Sequence, residues 1–280
     1  MRALLFLPLL ACQEQTVQAP VDAGTAPVAD AGPPPLDASV VHLPGDGSTP
    51  ESAGLSCEDI LAQRDDPASA AYWINPLGGP TSNAYQVYCD FDAEDGPWTL
   101  VVKIDGSQKT FGYEEALWTN ETVLAPESAE PGDTESKNHG YSQLAYTSIR
   151  LGMRVAEDEE EGDGTTRYIT LATRGDSLRQ TMVRGEAVNT ELGIEAWRSL
   201  IPLTSMQANC HAEGIMVQSS LRFGILGNQE DDCNTPDSFI AIGSNQDAVV
   251  AGNLAHGRWA ADNGDRRTKA FAEIWVQHKE

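Results

Sequence analysis

Large apolar and aromatic side chains are confined to one part of this chain, and that decides where a core can form. All six Trp, all seven Tyr and five of the six Phe lie between residues 55 and 280. Residues 13–54 hold no aromatic residue and no cysteine; they are rich in Ala, Pro, Gly and Asp, with the near-repeats APVDAG and APVADAG. Such a segment cannot bury enough apolar surface to offset its ordering entropy. It reads as a tether, about 35–40 Å end to end if flexible and longer where prolines stiffen it. The 226 residues that follow are ample for one sizeable core.

The net charge of −24 argues against nucleic acid, whose phosphates would repel the chain. It argues equally against adsorption to anionic lipid. It suits an exported surface domain, or one that collects cations.

The first residues, MRALLFLPLLACQ, carry one positive charge at Arg2 and an apolar stretch from Ala3 to Leu10 that is too short to span a bilayer. Leu9, Leu10 and Ala11 before Cys12 resemble a bacterial lipobox. That resemblance implies removal of residues 1–11, acyl chains on Cys12, and a lipidated tether over 12–54. An ordinary cleaved signal with an incidental Cys12 is the other reading. Several acyl chains on one residue hold firmly where a single chain binds marginally. Gln13, where an Asp would favour retention in the inner membrane, points to the outer membrane or cell surface.

Setting Cys12 aside leaves Cys57, Cys89, Cys210 and Cys233, an even count in an exported chain, which suggests disulfides. Three pairings exist; the sequential one, Cys57–Cys89 with Cys210–Cys233, closes the shorter loops. Each bridge would contribute roughly 3–4 kcal/mol in the loop-entropy model. No C-x-x-C occurs, which argues against structural zinc. A catalytic cysteine needs a histidine partner, and His42, His139, His211, His256 and His278 are scattered.

Ser56 is placed to cap a short helix beginning near Cys57, with Asp59 in its first turn and Asp66-Pro67 as its stop. Residues 71–75 read as a strand. In 85–91, Tyr85, Val87, Cys89 and Phe91 share a face, and in 98–104 Trp98, Leu100, Val102 and Ile104 are expected to do the same; joined by DAEDGP, the two runs make a hairpin. Further strands are expected at 147–155, 167–173, 214–218, 221–226, 238–242 and 270–277, and a short helix at 191–200. The stretches 105–146 and 227–268 read as long and irregular. Loops of that length are usually functional or held by ions. The pattern is α+β and mostly antiparallel.

In order along the chain, SCEDILAQ, AYWINP, YQVYCDFD and WTLVVKIDG resemble the amino-terminal half of fibrinogen-related domains. ESKNHGYSQL, with Lys137, Asn138, Gly140 and Tyr141, is similar to a segment of the intelectin branch, and GNQEDDC to another. The resemblance spans Ser56 to about Gln277. It implies a fibrinogen C-terminal-like domain over 55–280: a mostly antiparallel twisted sheet, short helices, and long irregular loops organised by calcium. It implies Asn228, Glu230 and Asp231 as metal ligands and Trp259, with Asp262, at a sugar site. Asp231 stands where the family usually has histidine, EDGP replaces a glycine run before the W-T pair, and a second upstream pair of ligands has no match.

Independently of family, GNQEDDCNTPD gathers Glu230, Asp231, Asp232 and Asp237 with the amides of Asn228 and Asn234. Calcium takes six to eight hard oxygen donors, and a crowded acidic loop repels itself unless a cation or water separates it. A solvated polar loop is the alternative. Trp259 lies in HGRWAADNGDRR, a polar, glycine-bearing setting that suits either an exposed platform for a pyranose face or a lid over the core. The acidic run at 156–164 lacks the spacing of a calcium-binding EF-hand loop and reads as a solvated turn, as does RGDS at 174–177. There is no G-x-S-x-G, H-E-x-x-H or P-loop. The expectation is a non-enzymatic, surface-tethered, calcium-dependent binder of glycans; the alternative is a structural or adhesive protein-interaction module. The lipid anchor would be its sole membrane contact, and nucleic acid is not an expected partner.

Overall fold

The computed structural model describes residues 45–159, 162–255 and 266–278. Local signals start the fold. Helix α1, Cys57–Gln63, opens where the Ser56 hydroxyl accepts a hydrogen bond from the Asp59 amide at 3.2 Å, with Glu58 and Asp59 in the first turn. It buries Cys57 and Ile60. Strands β1 (Ala70–Ile74), β2 (Tyr85–Asp90) and β3 (Trp98–Asp105) follow as antiparallel neighbours. β2 alternates buried and part-exposed residues, the signature of a strand with one face in the core.

The remaining elements are β4 (Ser136–Lys137), α2 (Gly140–Gln143), β5 (Ser148–Arg154), β6 (Thr166–Leu171), α3 (Leu178–Arg184), α4 (Ile194–Arg198), β7 (Glu213–Val217), β8 (Leu221–Gly227), β9 (Ser238–Ser244), β10 (Ala251–Ala255), β11 (Arg266–Lys269) and β12 (Phe271–Gln277). One sheet has the order β1-β2-β3-β12-β5-β6, with β4 beside β3. The other has the order β11-β10-β9-β8-β7. Both are antiparallel and the helices are short, as expected. No helix among the described residues is long and apolar enough to cross a membrane.

The main core draws Val87, Val102, Ile149, Leu151 and Ile274 from the first sheet and Phe223, Ile225, Ile240 and Ile242 from the second, together with Trp118 and Trp197 from outside the sheets. β8 and β9 are buried along their whole length because their other face meets a second cluster around Phe239, Leu226 and Val249. The sheets are joined through the backbone: Gly106 donates to the Ala270 carbonyl at 3.0 Å, and its own carbonyl accepts from Val250 at 2.9 Å. A Cβ at Gly106 would lie 2.1 Å from the Ala251 oxygen, so only glycine permits this approach.

Three expectations are corrected. Trp98, Leu100, Val102 and Ile104 do not share a face. The register of β3 on β12 slips between the pairs Val102↔Ile274 and Leu100↔Trp275, leaving Val101 as the extra residue of a bulge. Trp98 and Leu100 therefore join Trp275 in a cluster on the outer face, while Val101, Val102 and Ile104 enter the main core. Second, 227–268 is not one irregular stretch, since β9 runs on to Ser244 and β10 follows. Third, the stretch 105–146 holds β4 and α2, and α3 was not foreseen.

Candidate functional site

The β8–β9 connection, Asn228 to Asp237, is the region that the sequence singles out. Both sequential disulfides form: Cys57–Cys89 and Cys210–Cys233. The second ties this connection to the segment before β7. An antiparallel bridge between Asn209 and Asn228, with hydrogen bonds of 2.9 Å in each direction, fixes the base of the loop.

Within it the candidate residues separate. Asn228 is fully buried, and its amide closes the loop: Nδ2 donates to the Asp232 carbonyl at 2.7 Å and Oδ1 accepts from the Gln229 amide at 2.8 Å. The Asp232 carboxylate accepts from the backbone and side chain of Asn234 at 2.9 and 2.6 Å, an Asx turn. Glu230 and Asp231 are exposed at the tip, while Asp237 is buried at the start of β9, its amide donating to Gly227 at 2.8 Å. Among the described residues no group of three or more His, Cys, Asp or Glu is placed to hold a metal ion. Trp259, Asp262 and Cys12 lie outside the described residues.

The K-N-H-G-Y motif anchors a loop. Lys137 is buried, and its Nζ donates to the carbonyls of Leu117 and Asn120 at 2.6 and 3.0 Å and to Asn120 Oδ1 at 3.1 Å. Burial, with the Arg179 charge adding to it, holds this ammonium down to about 8. Asn138 donates to the Leu100 carbonyl at 2.8 Å, and the Tyr141 hydroxyl to the Trp118 carbonyl at 2.7 Å. The RGDS stretch is a tied turn: Gly175 pairs with Tyr146, and Asp176 bonds Arg184 at 2.8 Å.

A second polar assembly, not foreseen, occupies the outer face of the first sheet. The Arg150 guanidinium lies 4.5 Å from the ring centroids of Tyr168 and Trp275 and 5.1 Å from that of Trp98, and bonds Asp90 at 2.6 Å. Glu273 accepts from the Tyr168 hydroxyl and the Trp275 indole, each at 3.1 Å. Gly152 separates Glu273 from Tyr168 across the strands, and a Cβ there would come within 2.6 Å of the tyrosine ring. Lys103, opposite Glu273, donates to Ser128 and to the Glu130 carbonyl at 3.1 and 2.6 Å. Burial raises the Glu273 carboxyl against these two hydrogen bonds and the charges of Arg150 and Lys103; burial likewise lowers Lys103 against Glu273 and Glu130. The signal in sequence was a charge set between apolar neighbours within a strand: Lys103 between Val102 and Ile104, Arg150 between Ile149 and Leu151, Glu273 between Ala272 and Ile274. The cations and anions alternate across the strands, so the face balances its own charge.

A family model for the fibrillar collagen C-terminal domain matches residues 36–149. That span includes α1, the Cys57–Cys89 crosslink and the β2–β3 hairpin. No curated protein matches the chain.

Proposed function

We propose that this chain is an exported, non-catalytic recognition module with a fibrinogen C-terminal-like domain, held to a surface by a lipidated Cys12 and the tether after it. The ligand is a glycan, taken through calcium at the β8–β9 connection. The observation that carries this reading is the Cys210–Cys233 crosslink on an acid-rich loop, which leaves Glu230 and Asp231 exposed beside Asp232. A loop closed by a disulfide, a backbone bridge and an Asx turn loses little further entropy when a cation seats on it. That suits an extracellular calcium site, for which millimolar-range affinity is common. The fold assignment draws support from the match to the fibrillar collagen C-terminal domain, a domain that shares the fibrinogen C-terminal-like fold, and from the Cys57–Cys89 clip between α1 and β2.

Binding to a glycan array that disappears on chelation, together with a calcium-dependent rise in melting temperature that Glu230→Ala/Asp231→Ala abolishes, is the expected result. A melting temperature indifferent to both calcium and chelator removes the metal from the proposal. A second reading, an adhesive protein-interaction module, is favoured by one feature: the Asn228 amide and Asp232 carboxylate are already engaged in the loop's own hydrogen bonds. Binding to no glycan on the array selects it.

A further inference from the structure

The crosslink that closes the acid loop differs from the one in the core by how a reductant could reach it. Cys57 opens α1, and Cys89 sits inside β2, paired with Ala70 on one side and Thr99 on the other; both are 0% exposed. Neither Cys210 nor Cys233 lies in a helix or strand. Cys233 is half-buried beside the exposed Asn234, and Cys210, 7% exposed, follows the exposed pair Ala208 and Asn209. Movement of a loop is enough to present the second bond to solvent, whereas the first stays sealed until α1 leaves β2.

The backbone adds an independent observation. Cys210 stands at φ 52°, in the left-handed region that a residue with a Cβ enters at a cost. Exposed or strained disulfides are the readily reduced ones, and buried structural ones resist. The chain on either side is tied without the sulfurs. Asn209 bridges Asn228, Ala212 accepts from the Leu226 amide at 2.9 Å, and the Asp237 amide donates to Gly227 at 2.8 Å. The β7–β8 and β8–β9 ladders continue from there. Opening the bond therefore leaves both ends of the loop in place and loosens only the residues between them.

We infer that Cys210–Cys233 is a redox clasp: a dithiol reductant opens it while Cys57–Cys89 stays closed, and the acid loop loses the order on which ligand uptake depends. A thiolate of the dithiol attacks Sγ of Cys233, the more exposed of the two residues. The Sγ–Sγ bond breaks, and Cys210 leaves as a thiolate that takes up a proton. The second thiol of the reductant then displaces Cys233 and closes its own disulfide. Two electrons and two protons pass from the dithiol to the cysteine pair, and the oxidised dithiol reverses the step. Control of ligand uptake rests on the function proposed above; the opening of the loop does not.

The test equilibrates the full chain, without added calcium, at graded ratios of reduced to oxidised dithiothreitol. Acid quenching, alkylation and peptide mapping then locate the free thiols. Thiols at Cys210 and Cys233 should appear at a ratio roughly tenfold lower than those at Cys57 and Cys89, with tryptophan fluorescence unchanged. Hydrogen exchange should rise within 209–212 and 228–237 while β7 and β8 keep their protection. Cys210→Ser/Cys233→Ser should fold and reproduce the exchange pattern of the reduced wild type. Reduction of both pairs together, reduction of Cys210–Cys233 only as the native fluorescence is lost, or a serine pair that does not fold overturns the inference, since the bond would then belong to the fold. A calcium-dependent rise in melting temperature that reduction abolishes supports control of the ligand, and one that survives reduction overturns it. No rise in the oxidised chain removes the metal reading and the control of the ligand with it, while the thiol map decides the clasp by itself.

Discussion

The two disulfides close loops of similar length, with sequence separations of 32 and 23, yet they sit in unlike surroundings. Cys57 and Cys89 are both 0% exposed and belong to the main core, joining α1 to the hairpin strand β2. Cys210 is buried at the margin and Cys233 is half-buried on a polar loop. Loop entropy assigns nearly the same value to both, about 3.5 kcal/mol. The difference in burial teaches that the first bond is also packing, whereas the second restrains a loop that the sheets do not need.

Breaking each bond tests that distinction. Cys57→Ser/Cys89→Ser places two hydroxyls in an apolar core on top of the lost crosslink, and is expected to cost about 5 kcal/mol, the upper end for a native disulfide. Denaturant unfolding measures it. A loss no larger than that for the other pair would end the comparison. Gly106→Ala comes next, at about 3 kcal/mol, because the added Cβ meets the backbone oxygens of Ala251 in β10 and of Ala270, the link between β11 and β12. Its thermal transition should remain single, since the two sheets share one core; two resolved transitions would show that they melt apart. Cys210→Ser/Cys233→Ser is expected to cost about 2 kcal/mol. In hydrogen exchange the gain should be confined to residues 209–212 and 228–237, with β7 and β8 between them unchanged.

The smallest effect concerns Glu273. Burial raises its carboxyl in the folded chain above the ordinary value of 4.5. In the window between that value and the raised one, the folded state holds more protons than the unfolded state. Stability attributable to this group therefore falls as pH rises through the window and is flat above it. Glu273→Gln should remove that limb while keeping an acceptor for Tyr168 and Trp275. The readout is the difference between the two pH–stability curves, which should slope within that window and be flat above it. A difference independent of pH contradicts the assignment.

Local chemistry reached far along this chain. The Ser56 cap, the hairpin through DAEDGP and the sequential cysteine pairing were all legible, because capping geometry, period-2 alternation and loop length act over short distances. β10 and β11 were not. AGNLA and RRTK carry no alternation, and β10 is a strand because β9 supplies its partner. The Lys103, Arg150 and Glu273 assembly was visible as three separate oddities; nothing local says that they share a face.

What the sequence by itself determined is how the chain is crosslinked and that β2 alternates between core and surface. Tertiary structure alone decided that β8 and β9 are covered on both faces, that one bulge at Val101 sends Trp98 outward, and that Asn228 closes its own loop. Those outcomes depend on contacts between residues far apart in the chain. A one-residue slip in register exchanges the two faces of a strand, and no run of neighbouring residues encodes that slip.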